Sequence, residues 1–362
     1  MKQVINIGKH RIGSKYPVYI ISEIGSNFDG DLKRAKYLAK LSLEAGATAF
    51  KIQNFNAPQI VSKRGFQNLK ISFQSKWQKT VFDIYKNAEF PRKWLKELSD
   101  YCKKIGIDFF SSPYDKEAVD LLEKIFVPAH KVGSGEIDNL DFLQYVAQTM
   151  KPIIIACGAS TINEIETAIS TIRNVGNNQI ILLQCVTNYP SKIQDANIKA
   201  MVALKEKFNV EIGYSDHTTG KVSGGDDPLD GLTVPLAAVA LGAKVIEKHF
   251  TDDRTRKGPD HPFAMEFKDF KKMVLAIRAL ETAMGDGIKK VMSSEKDTAI
   301  IQRRGIYAKK DIRKGNKIKL NMIEFLRPAI GLRPCEVSKI EGKKAKQDIP
   351  AGSPLTIDDI SS

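Results

Sequence analysis

Few cysteines and no long apolar run occur in this sequence, and each shortage excludes a class of protein. The 362 residues contain four cysteines, which are scattered and form no CxxC motif. A disulfide framework and a cysteine zinc site are therefore not expected, and the cysteines are interpreted as reduced, mostly buried thiols. No stretch of about 18 uncharged apolar residues is present, and the leading MKQVINIGKHRIG lacks the apolar region of a signal peptide. These absences predict a cytoplasmic protein that has no contact with a membrane.

Two further absences concern ligands. No GxGxxG follows the first predicted strand, which argues against a dinucleotide-binding protein. The net charge is +14, and residues 288–362 hold 17 Lys and Arg against 9 Asp and Glu. These cations alternate with acidic and apolar residues, and no basic run carries the aromatics on which RNA bases stack. We interpret the excess as a solvated basic face that attracts anions, and nucleic acid is not an expected partner.

What the sequence has in abundance is an alternation of short apolar runs with helical patterns. Such alternation predicts a parallel sheet covered by helices, and eight repeats match a closed (β/α)8 TIM barrel over residues 1–287. An open doubly wound sheet is the alternative. The eight predicted strands, each followed by a helix, are residues 17–27, 49–55, 108–114, 129–137, 151–160, 180–190, 210–218 and 244–253.

The pattern changes after residue 287. Short alternating runs are now broken by turn sequences such as KKDIRKGN, RPAIGLRP and DIPAGSP. These features predict a small β-rich domain over residues 288–362. Because a domain of about 70 residues is only marginally stable alone, we expect it to pack on a barrel, its own or a partner's.

Two of the five histidines end consecutive predicted strands. His217 closes VEIGYSDH and His249 closes KVIEKH. If these strands are parallel neighbours, both imidazoles emerge at the carboxyl edge, where α/β proteins build their sites. Neutral imidazole is a common metal ligand, so a metal site is one interpretation. The alternative is that each histidine only forms hydrogen bonds with its neighbours.

Two lysines lie inside predicted strands, where a buried cation needs a partner. Lys51 lies in AFKIQNF and Lys131 in AHKVGSGE. One interpretation is a structural ion pair with Glu23 or Glu136. The interpretation we favour is an anion site for phosphate or carboxylate, with serine hydroxyls and the GSG backbone as further donors. Glu23, at the end of the first strand, is a candidate general base.

The order of motifs along the chain resembles that of the sialic acid synthase family. These motifs are EIGSNFDGD, FKIQ, FFSSPYD, KVGSGE, QCVTNYP, GYSDHT, VIEKHFT and GPDH, followed in the tail by RRGIYAKKDIRKG and FLRP. Members of the family condense phosphoenolpyruvate with an acylamino sugar of the N-acetylmannosamine type. The products are phosphate and a nine-carbon 2-keto acid, such as N-acetylneuraminate, legionaminate or pseudaminate, for surface polysaccharides or other glycans. The tail resembles the antifreeze-like (SAF) domain of this family.

The resemblance also implies site residues, a cofactor and an assembly. His217 and His249 would bind a divalent metal, most often Mn2+, with Mg2+ or Co2+ possible, and Glu23 would act near it. The family forms a domain-swapped homodimer in which an SAF arginine, here Arg327, reaches the partner's active site. Phosphoenolpyruvate would be held by Lys51, Ser112, Lys131, Ser134 and Ser215, and the acylamino sugar would contact Gln53, Tyr189, Asp260 and Arg327.

This chain departs from the family pattern in three places. ACGAS, which contains Ala156, stands where the family commonly has STGM, so one hydroxyl contact is lost. Thr187, a further candidate substrate contact, stands where some members carry a pocket Asn. The insert KVSGGDDPLDG (221–231) lengthens the loop after His217.

Two other functions remain as alternatives at this point. One is a related barrel synthase of the 3-deoxy-octulosonate-phosphate type, whose phosphorylated sugar needs further Arg or Lys in the pocket. The other is a non-enzymatic carbohydrate-binding or ice-binding protein that uses the tail. The two histidines, two strand lysines and Glu23 at one expected barrel mouth argue against the second.

Overall fold

The computed structural model describes residues 4–67, 69 and 79–361. The chain divides into two compact units, residues 1–285 and 286–362. No helix of the described residues combines the length and the apolar character that crossing a bilayer requires.

The first unit opens with a hairpin of two short strands, β1 (Ile5–Ile7) and β2 (His10–Ile12). The eight strands that follow are parallel and neighbour one another in chain order, from β3 through β10, with the ladder running on from β10 to β3. Their bounds are β3 (Tyr19–Glu23), β4 (Ala49–Asn54), β5 (Asp108–Pro113), β6 (His130–Val132), β7 (Ile153–Ala156), β8 (Ile180–Cys185), β9 (Glu211–Asp216) and β10 (Val245–Thr251).

This cyclic order shows a nearly closed barrel. Strands β5 and β6 lie side by side, although no ladder between them is present among the described residues. A doubly wound sheet would instead reverse direction at a switch point in its strand order. The predicted TIM barrel is confirmed, and the open sheet is excluded.

Helices cover the barrel, and several begin at the caps that their sequences supply. Thr161 and Glu164 form a capping box at α8, and the Asp115 carboxylate accepts from the first turn of α6. The helices of the first unit are α1 (Leu32–Glu44), α2 (Ala57–Ile60), α3 (Lys63–Gln67), α4 (Val81–Ala88), α5 (Leu95–Ile105), α6 (Lys116–Lys124), α7 (Leu140–Ala147), α8 (Ile162–Asn174), α9 (Ile198–Phe208), α10 (Thr233–Ala240) and α11 (Phe267–Met284).

Two regions of the first unit differ from the sequence prediction. The long connection at 56–90 contains the helices α2, α3 and α4, while residues 68 and 70–78 within it lie outside the described part. The strand predicted over 129–137 ends at Val132, and Ser134–Glu136 forms a 3-10 turn. A two-residue strand, β11 (Met265–Glu266), extends the ladder of β10 before α11.

The second unit has a core of its own, formed by buried aliphatic side chains that include Ile306, Ile318, Ile340 and Leu355. Its regular elements are the helix α12 (Lys296–Ile301) and an antiparallel pair, β12 (Gly305–Ala308) with β13 (Ile323–Leu326). Elsewhere the described chain of this unit runs through short 3-10 helices, turns and isolated bridges. The predicted β character is therefore present, in pairs that are short.

Candidate functional site

A cavity of about 480 Å³ opens at the carboxyl ends of the barrel strands. In parallel barrels this edge collects side chains that lie far apart in sequence. Arg327 lies in the second unit. The other predicted site residues all line the cavity: Glu23, Lys51, Gln53, Ser112, Lys131, Ser134, Thr187, Tyr189, Ser215, His217, His249 and Asp260.

The two imidazoles of His217 and His249 face each other, with their ring centroids 5.5 Å apart. His217 Nδ1 lies 2.8 Å from the carbonyl oxygen of Val186. Because a carbonyl oxygen only accepts, this nitrogen carries the proton, and the Nε2 lone pair is left available for a ligand. His249 Nδ1 is buried and finds no hydrogen-bond partner among the described residues.

These histidines fit a metal ion that is completed by substrate or water. Burial holds the pKa of His249 well below its usual value, and the positive charge of Lys51 lowers it further, so the ring stays neutral. In the described part of the chain, no group of three or more His, Cys, Asp or Glu is arranged to hold a metal. The protein therefore offers two nitrogen ligands and open positions, as a catalytic rather than a structural site does.

Side chains of alternating charge lie in contact with one another in the cavity lining. The Lys51 ammonium contacts the Glu23 carboxylate directly and lies 3.7 Å from Glu247. Lys131 lies 3.5 Å from Glu247 on the other side. Ser215 Oγ donates to Glu247 at 3.0 Å, and Lys51 donates to Ser112 Oγ at 3.1 Å. Both lysines thus have carboxylate partners while they also line the cavity.

Glu247 is the main site residue that sequence reasoning missed. Glu23 is a partner of Lys51, as the ion-pair interpretation predicted, but the second shared carboxylate comes from β10 and not from Glu136. A signal was present in VIEKHF, since Glu247 lies two residues before His249 in a buried strand. Alternate residues of a strand point to the same side, so both face the barrel interior.

The two buried carboxylates have opposite pKa shifts. Burial raises the pKa of Glu23, and the nearby charge of Glu247 raises it further, while Lys51 opposes the shift only in part. Burial also acts to raise the pKa of Glu247, but Lys131 and Lys51 outweigh it and lower the pKa. When environments separate two pKa values in this way, the group with the raised value is the one suited to exchange protons near neutral pH.

Asp260 is fixed at the cavity wall by a glycine turn. Its carboxylate accepts from both the backbone nitrogen and the hydroxyl of Ser26, each at 2.7 Å. Gly25 has φ +48°, and a Cβ there would lie 2.3 Å from Asp260 Oδ2, so only glycine fits. The adjacent His261 uses both ring nitrogens, contacting Thr251 Oγ1 and Asp29 Oδ1 at 2.8 Å each. His261 is therefore a structural residue.

Comparison with protein-family models shows two matches that together span most of the chain. Residues 38–289 match the NeuB family, and residues 303–361 match the SAF domain. The chain belongs to the NeuB family. The predicted resemblance to sialic acid synthases is confirmed, and this NeuB-family protein is an enzyme.

Curated relatives and a solved structure agree with this assignment. The NeuB-family chain is 36% identical to the pseudaminic acid synthase of Helicobacter pylori, over 95% of this chain and 98% of the relative. It is also 36% identical to the N,N'-diacetyllegionaminic acid synthase of Legionella pneumophila, over 95% and 94% of the two chains. The crystal structure of a sialic acid synthetase from Leptospira borgpetersenii aligns with a TM-score of 0.70 at 33% identity, over 82% and 95% of the chains.

The departures from the NeuB-family pattern lie at the cavity or beside it. Ala156 and Thr187 both line the cavity. Within the 221–231 insert, the buried Asp227 carboxylate accepts from Leu229 N at 2.8 Å and from Thr233 N at 3.0 Å. These bonds join the insert to the start of α10, so the loop is an ordered extension of the fold.

A buried ion pair connects the insert to the two strands that carry the histidines. Lys248 and Asp216 are 2% and 1% exposed, and the ammonium contacts the Asp216 carboxylate. It also donates to the carbonyl oxygens of Thr218 at 2.5 Å and Gly231 at 3.4 Å. Lys248 therefore joins β10 to β9 and to both ends of the loop between them.

Replacing Lys248 with methionine is expected to lower the free energy of unfolding by about 3–5 kcal/mol, because Asp216 would stay buried without its partner. Urea unfolding of the purified variant measures this loss. The matched control is Lys199→Met at an exposed lysine of α9, which is expected to change stability by about 0.5 kcal/mol or less. Equal stability of the two variants would show that the pair contributes nothing.

Proposed function

We propose that this NeuB-family enzyme condenses phosphoenolpyruvate with the open-chain aldehyde of an acylamino sugar, giving a nine-carbon 2-keto acid and phosphate. The observation that carries the proposal is that two imidazoles and a buried Lys51–Glu247–Lys131 group line the same cavity. The printed names of the relatives, pseudaminic acid synthase and N,N'-diacetyllegionaminic acid synthase, support the same class of product.

Binding of phosphoenolpyruvate is assigned to the cations and hydroxyl groups that line the cavity. Lys51 and Lys131 supply positive charge, and Ser112, Ser134 and Ser215 supply hydroxyl groups to the phosphate and carboxylate. Holding the enol beside the aldehyde makes a reaction of two substrates effectively intramolecular. Gln53, Thr187, Tyr189 and Asp260 then remain to contact the sugar.

Bond making and breaking follow from this placement. The enol carbon of phosphoenolpyruvate attacks the aldehyde carbon, and the aldehyde oxygen takes a proton from solvent water to become a hydroxyl group. Water then adds at the phosphate-bearing carbon, and Glu23 takes the proton that this water gives up, which suits its raised pKa. The new hydroxyl group on this carbon then loses its proton to the departing phosphate as the carbon–oxygen bond to phosphate breaks, which leaves the 2-keto acid.

A divalent metal fits the same proposal. His217 and His249 would hold it, and Mn2+ is the favoured ion, with Mg2+ or Co2+ as alternatives. When bound, it supplies a Lewis acid that polarises the aldehyde oxygen. The described lining contains four acidic side chains, Glu23, Glu136, Glu247 and Asp260, against the two lysines. This acidic excess also favours a bound cation.

We further propose that the enzyme works in the cytoplasm as a domain-swapped homodimer, with Arg327 reaching the sugar in the partner's cavity. Arg327 is exposed, and within the described residues it forms no ion pair or hydrogen bond. It follows the exposed Phe325 and Leu326 on β13. A free guanidinium beside exposed apolar side chains suits a surface that is covered in an assembly.

A phosphate-release assay tests the reaction itself. Phosphoenolpyruvate is supplied with acylamino sugars or with arabinose 5-phosphate, with and without Mn2+. Release that needs an acylamino sugar and Mn2+ is the expected result. Preference for arabinose 5-phosphate would indicate the 3-deoxy-octulosonate-phosphate type of synthase, and no release with any sugar would overturn the proposed reaction.

Replacing Lys131 with methionine is expected to raise the KM for phosphoenolpyruvate by about tenfold or more, because the substrate charges lose their partner in a desolvated site. Steady-state kinetics at saturating sugar measure this. Lys124→Met, at an exposed lysine of α6, is the matched control and should leave the KM unchanged. An unchanged KM in a folded Lys131→Met variant would mean that Lys131 is structural.

A further inference from the structure

The 221–231 insert lies between two loops that carry cavity residues. The β8–α9 loop (186–197) supplies Tyr189 to the cavity lining, and the β10–β11 loop (252–264) supplies Asp260. The lining residues that the structure describes include none from the insert itself. An effect of the insert on the reaction must therefore pass through these two loops.

One contact joins the insert to the β8–α9 loop. Asp226 is half-buried, and its carboxylate accepts a hydrogen bond from the backbone nitrogen of Ile193 at 2.8 Å. A hydrogen bond to a carboxylate is stronger than one between neutral groups. In the same loop, Ser191 N donates to the carbonyl oxygen of His217 at 3.0 Å. The chain that follows Tyr189 is thus held both by the end of β9 and by the insert.

A second contact joins the insert to the β10–β11 loop. Arg254 Nη1 donates to Ser223 Oγ at 2.9 Å. The guanidinium of Arg254 also lies 3.5 Å from the carboxylates of Glu266 and Asp269. Because these two acidic side chains hold the guanidinium, Ser223 contacts a group whose position is fixed. The insert is in this way attached to the loop that carries Asp260.

The insert closes on itself, so its two contacts keep a fixed spacing. Gly225 N donates to the carbonyl oxygen of Gly220 at 3.1 Å. A Cβ at Gly225 would lie 2.0 Å from the carbonyl oxygen of Thr219, so only glycine allows this close approach of the backbone. Ser223 lies inside the closed turn and Asp226 follows it directly. A movement of one attached loop is therefore resisted by the other.

The two attached loops meet beside the histidines. The rings of Tyr189 and Phe263 have centroids 5.2 Å apart. Tyr189 packs on His217 at 4.2 Å, and Phe263 packs on His249 at 4.9 Å. Such aromatic contacts depend on the separation and angle of the rings. A shift of either loop would move Tyr189 or Asp260 relative to the barrel strands, which hold their own positions through the sheet.

We infer that the insert positions the two loops that contact the sugar, with Asp226 and Ser223 as the positioning residues. This inference rests on the proposed function, which assigns the sugar to residues of the two loops and phosphoenolpyruvate to Lys51 and Lys131 of the barrel strands. Contacts that are already in place when the substrate arrives cost less to form. Loosening the insert should therefore weaken sugar binding and leave phosphoenolpyruvate binding as it is.

The test removes each contact and measures the two substrates separately. Asp226→Ala is expected to raise the KM for the acylamino sugar about tenfold, and Ser223→Ala about threefold, while the KM for phosphoenolpyruvate stays unchanged. The sugar varied is N-acetylmannosamine, or whichever acylamino sugar releases phosphate fastest in the assay described above. Asp226→Asn keeps an oxygen that can accept from Ile193 N, so its KM for the sugar should stay near the wild-type value.

The matched control is Val222→Ala, at a position beside Ser223 that is 91% exposed, and it should leave both KM values unchanged. Urea unfolding checks that each variant is folded, and Ser223→Ala carries the test if Asp226→Ala is not. Equal rises of the two KM values, an unchanged sugar KM in the folded variants, or an Asp226→Asn variant as impaired as Asp226→Ala would overturn the inference. Absence of turnover by the wild-type enzyme with every sugar would instead overturn the proposed function, and this inference with it.

Discussion

Replacing either His217 or His249 with alanine is expected to abolish synthase turnover while the barrel stays folded. The two rings are the proposed ligands of the metal, and their centroids lie 5.5 Å apart. One imidazole alone leaves a divalent ion bound too weakly to polarise the aldehyde. Phosphate release under saturating substrates measures turnover, and Mn2+ titration of the purified variant measures metal affinity independently of activity.

The control for this prediction is His10→Ala, because His10 lies in the leading hairpin, outside the cavity. It should retain both activity and Mn2+ affinity. If the alanine variant of His249 unfolds, His249→Gln is the replacement variant, because glutamine fills more of the buried volume than alanine does. Full activity of either histidine variant in chelator-treated buffer would remove the metal assignment.

The barrel was predictable because its signal is repeated eight times. Each buried strand is a continuous apolar run, since both of its faces are covered, and each is followed by a helical pattern. The site was predictable for the same reason, because polar residues such as Ser112 and His217 interrupt these runs near the ends of their strands. The carboxyl ends of parallel strands then assemble one cavity whatever the sequence distance between them.

Features that depend on long-range pairing were not predictable. Glu247 contacts both Lys51 and Lys131 because the barrel brings their strands together and their side chains point into its interior. The residues around each position in the sequence do not show which strands lie near one another. The same holds for the short helices α2, α3 and α4 of the 56–90 connection, because their packing is set by tertiary contacts. The leading hairpin was missed because strands of three residues carry too little alternation to detect.

Arg327 and His217 are expected to act in the same pocket although they come from different subunits. In an equimolar mixture of Arg327→Ala and His217→Ala chains, a mixed dimer assembles one pocket that has both residues and one that has neither. If each single variant is inactive and subunits exchange freely, half of the dimers are mixed. The mixture should therefore recover about a quarter of the wild-type activity.

The measurement is phosphate release after the two inactive variants have been incubated together, with exchange followed by a fluorescence label on each chain. Arg333→Ala, at a second exposed arginine of the SAF domain, is the matched control and should be active alone, because the proposed role belongs to Arg327. Recovery requires that the arginine act across the dimer. If labelled subunits exchange and the mixture stays inactive while both variants are folded, Arg327 acts within its own chain or has no role in the reaction.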